Sequence, residues 1–251
     1  MAKSIERAVV IGASSGMGAA IAKRWVARGA KVALLARREE KLEKVAEAIA
    51  AGWGPGKTII RRCDVTDTTA AAESFAEIVA ELGGLDAICY AAGVMDTGLG
   101  EDEYSTEKDL PILETNLNGA VAWLNEAARL FTEQKHGTIV GIGSIAGDRG
   151  RRAYPSYHAA KAGFATFLES LRNRLGQHGV QVTTIKPGFI DTPMTRGMEG
   201  LFWLKTADEA ASIIDRAVKR GRQTAYVPGR WRLVSLVIRS IPSFLFRKLS
   251  I

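Results

Sequence analysis

The chain has 251 residues, of which 47% are hydrophobic and 24% are charged, and these proportions exclude a disordered polypeptide and suit one globular domain with a sizeable core. The net charge of +7 is unevenly distributed, because residues 216–251 contain nine Lys or Arg and no acid, whereas the other 215 residues have a net charge of −2. No nucleic-acid motif accompanies this basic end, so we expect no nucleic-acid binding.

Seven apolar segments alternate along the chain with segments of helical periodicity. Strands that are apolar on both faces are typical of a covered parallel sheet, and strand–helix alternation produces right-handed βαβ units. The sequence therefore predicts a single-domain, Rossmann-like α/β fold, with a doubly wound parallel sheet of about seven strands and helices on both faces. The predicted strands are 7–13, 31–37, 58–65, 85–91, 137–144, 180–186 and 224–227. The predicted helices are 16–29, 39–51, 68–82, 110–134, 154–178 and 208–220, with an irregular segment at 188–206.

The first predicted strand leads directly into a glycine-rich turn that begins a helix. Glycine lets the backbone approach a pyrophosphate closely, and the helix N-terminus offers free N–H groups and the positive end of a dipole. The spacing is G-x-x-x-G-x-G rather than the commoner G-x-G-x-x-G, and a plain strand–helix turn is the alternative. Its place after the first strand favours a dinucleotide site. The predicted phosphate-binding residues are Gly12, Ser14, Ser15, Gly16, Met17 and Gly18.

The second predicted strand ends in Arg37 and Arg38. A site for NAD usually carries Asp or Glu at this point, which would repel the 2′-phosphate of NADP. Two guanidinium groups can instead bind that phosphate in forked geometry. We therefore predict NADP(H) as the cofactor in preference to NAD, although the arginines could simply begin a solvated helix.

Tyr157 and Lys161 lie four residues apart in a helical pattern, so both face the same side of the helix. A neighbouring ammonium group favours the phenolate and should lower the pKa of Tyr157, which would suit general acid/base chemistry. Ser144 ends the fifth predicted strand, where its hydroxyl could donate a hydrogen bond to the same substrate oxygen. The alternatives are two surface side chains and a helix-capping serine. His158 is expected to face away from this site.

The order and spacing of these motifs resemble those of the short-chain dehydrogenase/reductase family, from Arg7 to Gly229. The glycine motif matches at Gly12, Gly16 and Gly18. The resemblance implies a catalytic tetrad of Asn116, Ser144, Tyr157 and Lys161. It also implies hydride transfer between the nicotinamide and a carbonyl or alcohol carbon. A catalytically idle nucleotide-binding protein is the alternative, and the intact tetrad argues against it.

The same resemblance assigns further roles around the cofactor. Lys161 would also hold the nicotinamide ribose, and Asn116 would kink its helix so that a water links Lys161 to solvent. Asp64 and Val65 would contact the adenine, whereas the segment after the sixth strand would hold the nicotinamide carboxamide. The implied cofactor contacts outside the glycine loop and the arginines are Asp64, Val65, Ala92, Gly93, Tyr157, Lys161, Pro187, Gly188, Ile190 and Thr192.

The chain departs from the family pattern after the fourth strand. The family usually has Asn-Asn-Ala-Gly there, whereas this chain has Tyr90-Ala91-Ala92-Gly93. The asparagines help to tie the centre of the sheet together. Their absence puts that hydrogen bond in doubt, but not the chemistry.

The loops after strands four, five and six, at 94–106, 145–155 and 189–206, are expected to meet the substrate. They are rich in Met, Leu, Phe and Trp, which favours an apolar, lipid-like substrate unless these residues only pack the lid. Arg149, Arg151 and Arg152 either meet an anionic head group or lie on a solvated loop. By resemblance, helices 110–134 and 154–178 should form a dimer or tetramer.

The last segment, 230–251, extends beyond the predicted catalytic domain of residues 1–229. Helical spacing predicts a polar face of Arg232, Ser235 and Arg239 on an otherwise apolar helix that Pro242 ends or kinks. Three roles remain open for this extension: a cover for the substrate site, a subunit contact, or contact with an anionic membrane surface.

The remaining expectations concern location and metals. The two cysteines, Cys63 and Cys89, lie in apolar runs and fit buried thiols in a reducing compartment. No apolar run is long enough to span a bilayer, and none resembles a signal peptide. We therefore expect a cytoplasmic protein, with membrane association only through 230–251. The scattered histidines predict no metal site.

Overall fold

The computed structural model describes residues 4–95 and 104–249. The strands are β1 Arg7–Ile11, β2 Lys31–Ala36, β3 Thr58–Arg62, β4 Ala87–Tyr90, β5 Gly137–Ile142, β6 Val180–Pro187, β7 Ile190–Asp191, β8 Lys205–Thr206 and β9 Thr224–Val227. Seven of them form one parallel sheet in the order β3-β2-β1-β4-β5-β6-β9, while β7 and β8 pair separately. The predicted doubly wound sheet is confirmed.

Helices cover both faces of the sheet. They are α1 Gly16–Val26, α2 Glu39–Trp53, α3 Ala71–Leu82, α4 Thr106–Leu113, α5 Gly119–Gln134, α6 Pro155–Leu175, α7 Ala207–Lys219, α8 Trp231–Ser240 and α9 Ser243–Phe246. Helices α1, α2 and α7 bury their apolar faces on one side, and α3, α5 and α6 bury theirs on the other. The strands between these layers are buried on both faces, which explains their continuous apolar character.

Two predicted segments differ in detail from the structure. The helix predicted at 110–134 begins earlier, at Thr106, and a π-helical turn at Glu114–Asn118 separates α4 from α5. The segment predicted as irregular at 188–206 contains the short parallel pair of β7 and β8. Two-residue strands have too little hydrophobic periodicity to be recognised from the sequence.

Parallel strand direction places the candidate site. The chain moves outward from β1 to β3 and then crosses back to β4, so β1 and β4 are neighbours with Ile11 beside Tyr90. Tyr90 in turn lies beside Gly141 of β5. The loops that follow β1, β4 and β5 therefore leave the same edge of the sheet, at the point where strand order reverses, which is where this fold binds ligands.

The C-terminal segment forms α8 and α9, and Arg232 and Arg239 of the predicted polar face are exposed, but the place predicted for Ser235 is wrong. Ser235 is only 2% exposed, because its hydroxyl donates a 2.5 Å hydrogen bond to the buried carboxylate of Asp148. The apolar Leu233, Leu236 and Val237 are instead 68%, 63% and 62% exposed.

Within 4–95 and 104–249, no helix is both long and apolar enough to cross a membrane.

The packing of β5 against α6 can be tested with Gly141→Ala. A Cβ atom at this position would overlap the side chain of Leu168 and crowd Phe164. Overpacking of a core typically costs about 1–3 kcal/mol, so we expect a lower urea midpoint with an unchanged m-value. Gly52→Ala in α2 is the matched control, because its Cβ meets nothing within 4 Å and the helix should become slightly more stable. Equal stabilities for the two variants would contradict the tight α6 contact.

Candidate active site

The glycine-rich turn joins β1 to α1 with little room for side chains. Gly12 has φ of +87°, and a Cβ atom there would lie 2.5 Å from the Ala92 nitrogen. A Cβ atom on Gly18 would overlap the Gly12 carbonyl oxygen. Ser15 precedes α1 without capping it through its side chain, and the first turn carries no acid. The open helix N-terminus therefore fits the pyrophosphate of a dinucleotide.

A cavity of about 360 Å³ opens beyond the ends of β1, β2 and β4. Its predicted lining residues are Gly12, Ser14, Ser15, Gly16, Met17, Gly18, Arg37, Arg38, Val65, Ala92, Gly93 and Thr192. Further lining residues that the sequence did not single out as cofactor contacts are Cys63, Val94, Met95, Thr115, Pro193 and Met194. Cys63 directly precedes Asp64, the predicted adenine contact. Its position just after β3 is the sequence feature that could have indicated a place in the cavity wall. The size and shape of this lining fit an extended nucleotide.

Other predicted contacts lie outside this lining. The Asp64 carboxylate is exposed and accepts hydrogen bonds from the Thr66 backbone and hydroxyl, at 3.1 and 2.9 Å. Pro187 ends β6, and Gly188 lies directly beneath the Trp231 ring. Ile190 is buried in the core on the side of the sheet covered by α1 and α7.

The end of β2 gives the cavity a basic rim. Arg37 and Arg38 are both exposed, and the Arg38 guanidinium donates to the Ser14 hydroxyl at 3.3 Å. No Asp or Glu is among the described residues that line the cavity. This rim is electrostatically suited to a phosphate group.

Ser144, Tyr157 and Lys161 come together at the end of β5. Ser144 accepts a 3.0 Å hydrogen bond from the Ala146 nitrogen as it caps a short 3-10 helix, and its hydroxyl lies near the Tyr157 phenol. The Lys161 ammonium lies 5.6 Å from the centre of the Tyr157 ring and donates to the Ile142 carbonyl at 3.1 Å. Ser144 therefore acts as a helix cap and as a member of this cluster.

Asn116 completes the cluster from the π-helical turn. It is fully buried, and its amide nitrogen donates to the carbonyl oxygens of Ile112 and Val94 at 2.8 Å each. Its Oδ1 atom is buried without a partner. A Cβ atom on Gly93 would lie 2.7 Å from this oxygen and 3.4 Å from the Lys161 ammonium, so the two groups face the same small space. This arrangement fits a bridging water, as the resemblance implied.

Tyr90 replaces the family asparagine with a different tie across the sheet centre. Its ring is fully buried and packs edge-on against Phe164 at 5.8 Å. Its hydroxyl donates a 2.7 Å hydrogen bond to the Thr115 carbonyl in the π-helical turn. Tyr90 thus joins the end of β4 to the residue beside Asn116.

Burial shifts the pKa values of the site in a direction that corrects one prediction. The pKa of Tyr157 is raised, because burial of the phenol outweighs its hydrogen bond with Ser144. The prediction that Lys161 lowers the pKa of Tyr157 is therefore wrong. Burial also lowers the pKa of Lys161 to about 8, so its ammonium loses part of its charge near neutral pH.

His158 packs against the short 3-10 helix that follows β5. Its ring is buried and makes a 2.6 Å hydrogen bond with the Ala146 carbonyl, and burial lowers its pKa. His158 therefore braces the 3-10 helix that follows Ser144. The helical step separates its direction from that of Tyr157, and the 3-10 helix at 145–148 covers that side of α6.

Comparison with known proteins identifies the family. Residues 6–199 match the family model described as short chain dehydrogenase. The chain is also 34% identical over 246 residues to an uncharacterised oxidoreductase of Myxococcus xanthus. That match covers 97% of this chain and 95% of the relative. The chain belongs to the short-chain dehydrogenase/reductase family. Members of this family are oxidoreductases that act on carbonyl or alcohol groups and bind a nicotinamide cofactor.

Two further relatives place this short-chain dehydrogenase/reductase among enzymes of similar sequence and shape. It is 35% identical over 191 residues to the 3-oxoacyl-(acyl-carrier-protein) reductase FabG of Escherichia coli, with 76% of each chain covered. A crystal structure of a short-chain type dehydrogenase/reductase from Mycobacterium marinum superposes with a TM-score of 0.79 at 25% identity. That likeness covers 94% of this chain and 96% of the other.

Replacing Lys161 by Met tests the burial of its ammonium group. The lysine pKa falls from 10.5 to about 8, so within this window the unfolded chain binds a proton that the folded chain has lost. The free energy of unfolding should therefore rise with pH, by up to about 3 kcal/mol for this group. We expect the stability of the wild type relative to Lys161→Met to rise from pH 8 towards pH 10 in urea titrations.

The exposed Lys219 provides the control for this experiment. The stability of the wild type relative to Lys219→Met should not change over the same pH range. If the difference in free energy of unfolding between the wild type and Lys161→Met is also independent of pH, Lys161 keeps an ordinary pKa.

Proposed function

We propose that this chain is an NADP(H)-dependent oxidoreductase that moves a hydride between the nicotinamide and a carbonyl or alcohol carbon of an apolar substrate. The observation that carries this proposal is the cluster of Asn116, Ser144, Tyr157 and Lys161 at the sheet edge beside the cavity. The FabG of Escherichia coli, a reductase by name, supports the ketoreductase direction.

Proton transfer falls to Tyr157 in this proposal. When bound, the nicotinamide supplies or accepts the hydride. The raised pKa keeps the Tyr157 phenol protonated at neutral pH, which suits donation to a carbonyl oxygen during reduction. Ser144 accepts from the Ala146 nitrogen, which leaves its own proton for the same substrate oxygen.

Lys161 and Asn116 are suited to restore the proton that Tyr157 gives up. A lysine with a pKa of about 8 can exchange protons near neutral pH without a strong base. The unpartnered Asn116 Oδ1 offers an acceptor for a water in the space beside Gly93. Together they support a short proton relay from the buried cluster.

The preference for NADP(H) rests on the rim of Arg37 and Arg38 and on the absence of an acid from the described cavity lining. The preference for an apolar substrate rests on the segment after β6, where Phe189 and Phe202 pack edge-on at 5.6 Å. Met95 and Met194 add flexible apolar contacts to the cavity wall. Leu99, also expected in this wall, lies outside the described residues. Long-chain 3-oxoacyl, sphingoid and steroid ketones are the substrates to screen.

Assembly into a dimer or tetramer through α5 and α6 is part of the same proposal. The family frequently forms oligomers, and the long α5 and α6 helices lie side by side on one face of the sheet. Light scattering on the intact chain would give its mass directly.

Tyr157→Phe tests the proposed acid. The substitution removes the hydroxyl that carries the transferable proton, so we expect turnover with NADPH and a reducible ketone to fall at least a hundredfold, while NADPH affinity stays near wild type. Lys219→Met, an exposed change on α7, is the control and should keep full activity. Retention of more than a tenth of kcat would exclude Tyr157 as the acid. If the wild type binds NADPH but reduces no ketone, the idle-protein alternative gains support.

Replacing Arg37 and Arg38 together by Ala tests cofactor choice. Each charge-assisted bond to a phosphate contributes about 1.5–3 kcal/mol, so the Kd for NADPH should rise more than tenfold while the Kd for NADH changes little. Arg216→Ala with Arg220→Ala is the control. It removes the same charge from α7 and from the residue after it, and it should leave the Kd values for NADPH and NADH unchanged. Equal weakening of NADPH and NADH would mean that these arginines do not distinguish the 2′-phosphate.

A further inference from the structure

The C-terminal helices are anchored to two segments that flank the active site. Trp231 packs against Phe189 and Phe202, with ring centres 5.5 and 4.9 Å away, and so joins α8 to the segment after β6. The Arg149 guanidinium, only five residues after Ser144, donates to the carbonyl oxygens of Ile238 and Ile241 at 2.6 and 2.5 Å. Arg149 therefore holds the end of α8 rather than a substrate head group.

A second anchor fixes the rotation of α8 about its axis. The buried Asp148 carboxylate accepts hydrogen bonds from Ser235 and from the Tyr226 hydroxyl, and it also forms an ion pair with Lys186. The Arg149 guanidinium lies 3.8 Å from the centre of the Phe246 ring, which seats α9 as well. These contacts hold the polar serine inward and leave the opposite side of α8 facing outward.

The outward side of the two helices is apolar. We call it the tail surface, and its large exposed side chains are Leu233, Leu236, Val237, Phe244, Leu245 and Leu249. Large apolar side chains are usually buried against the rest of their own chain. A contiguous apolar surface that faces outward in a folded protein usually marks a site of contact.

Basic residues border the tail surface, and acidic residues are absent from this part of the chain. Helical spacing of seven places Arg232 and Arg239 along one edge of the exposed apolar stripe of α8. Arg247 and Lys248 are exposed at the end of α9. No Asp or Glu occurs in the sequence after Asp215. An apolar face whose own segment carries cations and no acid matches the chemistry of a lipid surface with anionic head groups.

The same charges disfavour a second copy of the chain as the occupant. A two-fold interface brings the same patch of each subunit together. Two tail surfaces would then bring both sets of arginines into one interface, and the tail segment itself contributes no acid to compensate them. The observations therefore favour an anionic partner over self-association.

We propose that the tail surface docks on an anionic membrane, with α8 and α9 lying in the interface plane. The exposed Phe202 and Trp203 contact Trp231 of α8, so docking brings the segment after β6 towards the lipid. The proposal rests on the contacts of the tail itself and not on the reaction, so it can fail independently of the proposed function.

Vesicle co-sedimentation of the full chain tests this docking. The probe is vesicles of phosphatidylglycerol mixed with phosphatidylcholine, compared with vesicles of phosphatidylcholine alone. We expect binding to the anionic vesicles at low salt, weaker binding at high salt, and little binding to the neutral vesicles. Protein that stays in the supernatant with anionic vesicles at low salt would overturn the proposal.

Two variants separate the apolar and the charged contributions. Leu236→Glu with Val237→Glu places acids in the centre of the tail surface and should abolish sedimentation. Arg232→Gln with Arg247→Gln keeps the apolar face and should weaken binding about twentyfold or more, at roughly fivefold for each cation near an anionic surface. The second pair keeps the test decisive if the first pair disturbs folding.

Matched controls complete the experiment. Arg220→Gln with Arg222→Gln removes the same charge from exposed positions before β9 and should bind like wild type. If this control pair weakens binding as much as Arg232→Gln with Arg247→Gln does, only the net charge of the protein matters and the tail surface is not the docking site. If light scattering instead shows that Leu236→Glu with Val237→Glu breaks an oligomer of the wild type, the surface is an interface between copies, and the membrane proposal is wrong.

Discussion

All seven strands of the main sheet run in one direction, and the active site depends on this constraint. Parallel strands end at a common edge. The glycine turn after β1, Gly93 after β4 and Ser144 after β5 are far apart in sequence, and they become neighbours at that edge. Helices must then cover both faces, because the strands are apolar on each side. The reversal of strand order between β1 and β4 leaves an opening at that edge, and the cavity occupies it.

The chain keeps polar groups in this opening at some cost to its stability. The Lys161 ammonium and the Asn116 carbonyl oxygen are both buried, and within the described structure the latter has no hydrogen-bond partner. Such groups are normally paired, and exceptions are concentrated at sites of function. The π-helical turn makes the arrangement possible, because the Asn116 amide donates to the Ile112 carbonyl within the helix. The side chain is thereby fixed while its oxygen remains directed at the space beside Gly93.

The sequence was sufficient for the elements whose signal is local and repeated. Apolar periodicity predicted the seven strands, and the spacing of Tyr157 and Lys161 predicted a shared helix face. Features that depend on distant partners could not be read in this way. The rotation of α8 is set by Asp148, which lies far earlier in the chain, so helical periodicity alone placed Ser235 on the wrong side. The raised pKa of Tyr157 likewise depends on burial by the assembled fold, which no spacing reveals.

The contact between Gly188 and Trp231 has a consequence for how related sequences can vary. The indole ring occupies the volume that any side chain at position 188 would need. Glycine after β6 is therefore required by the C-terminal helix. A larger residue at 188 would be compatible only with a smaller one at 231, so these two positions should covary among relatives that share this C-terminal helix. Relatives without the helix should be released from that restriction.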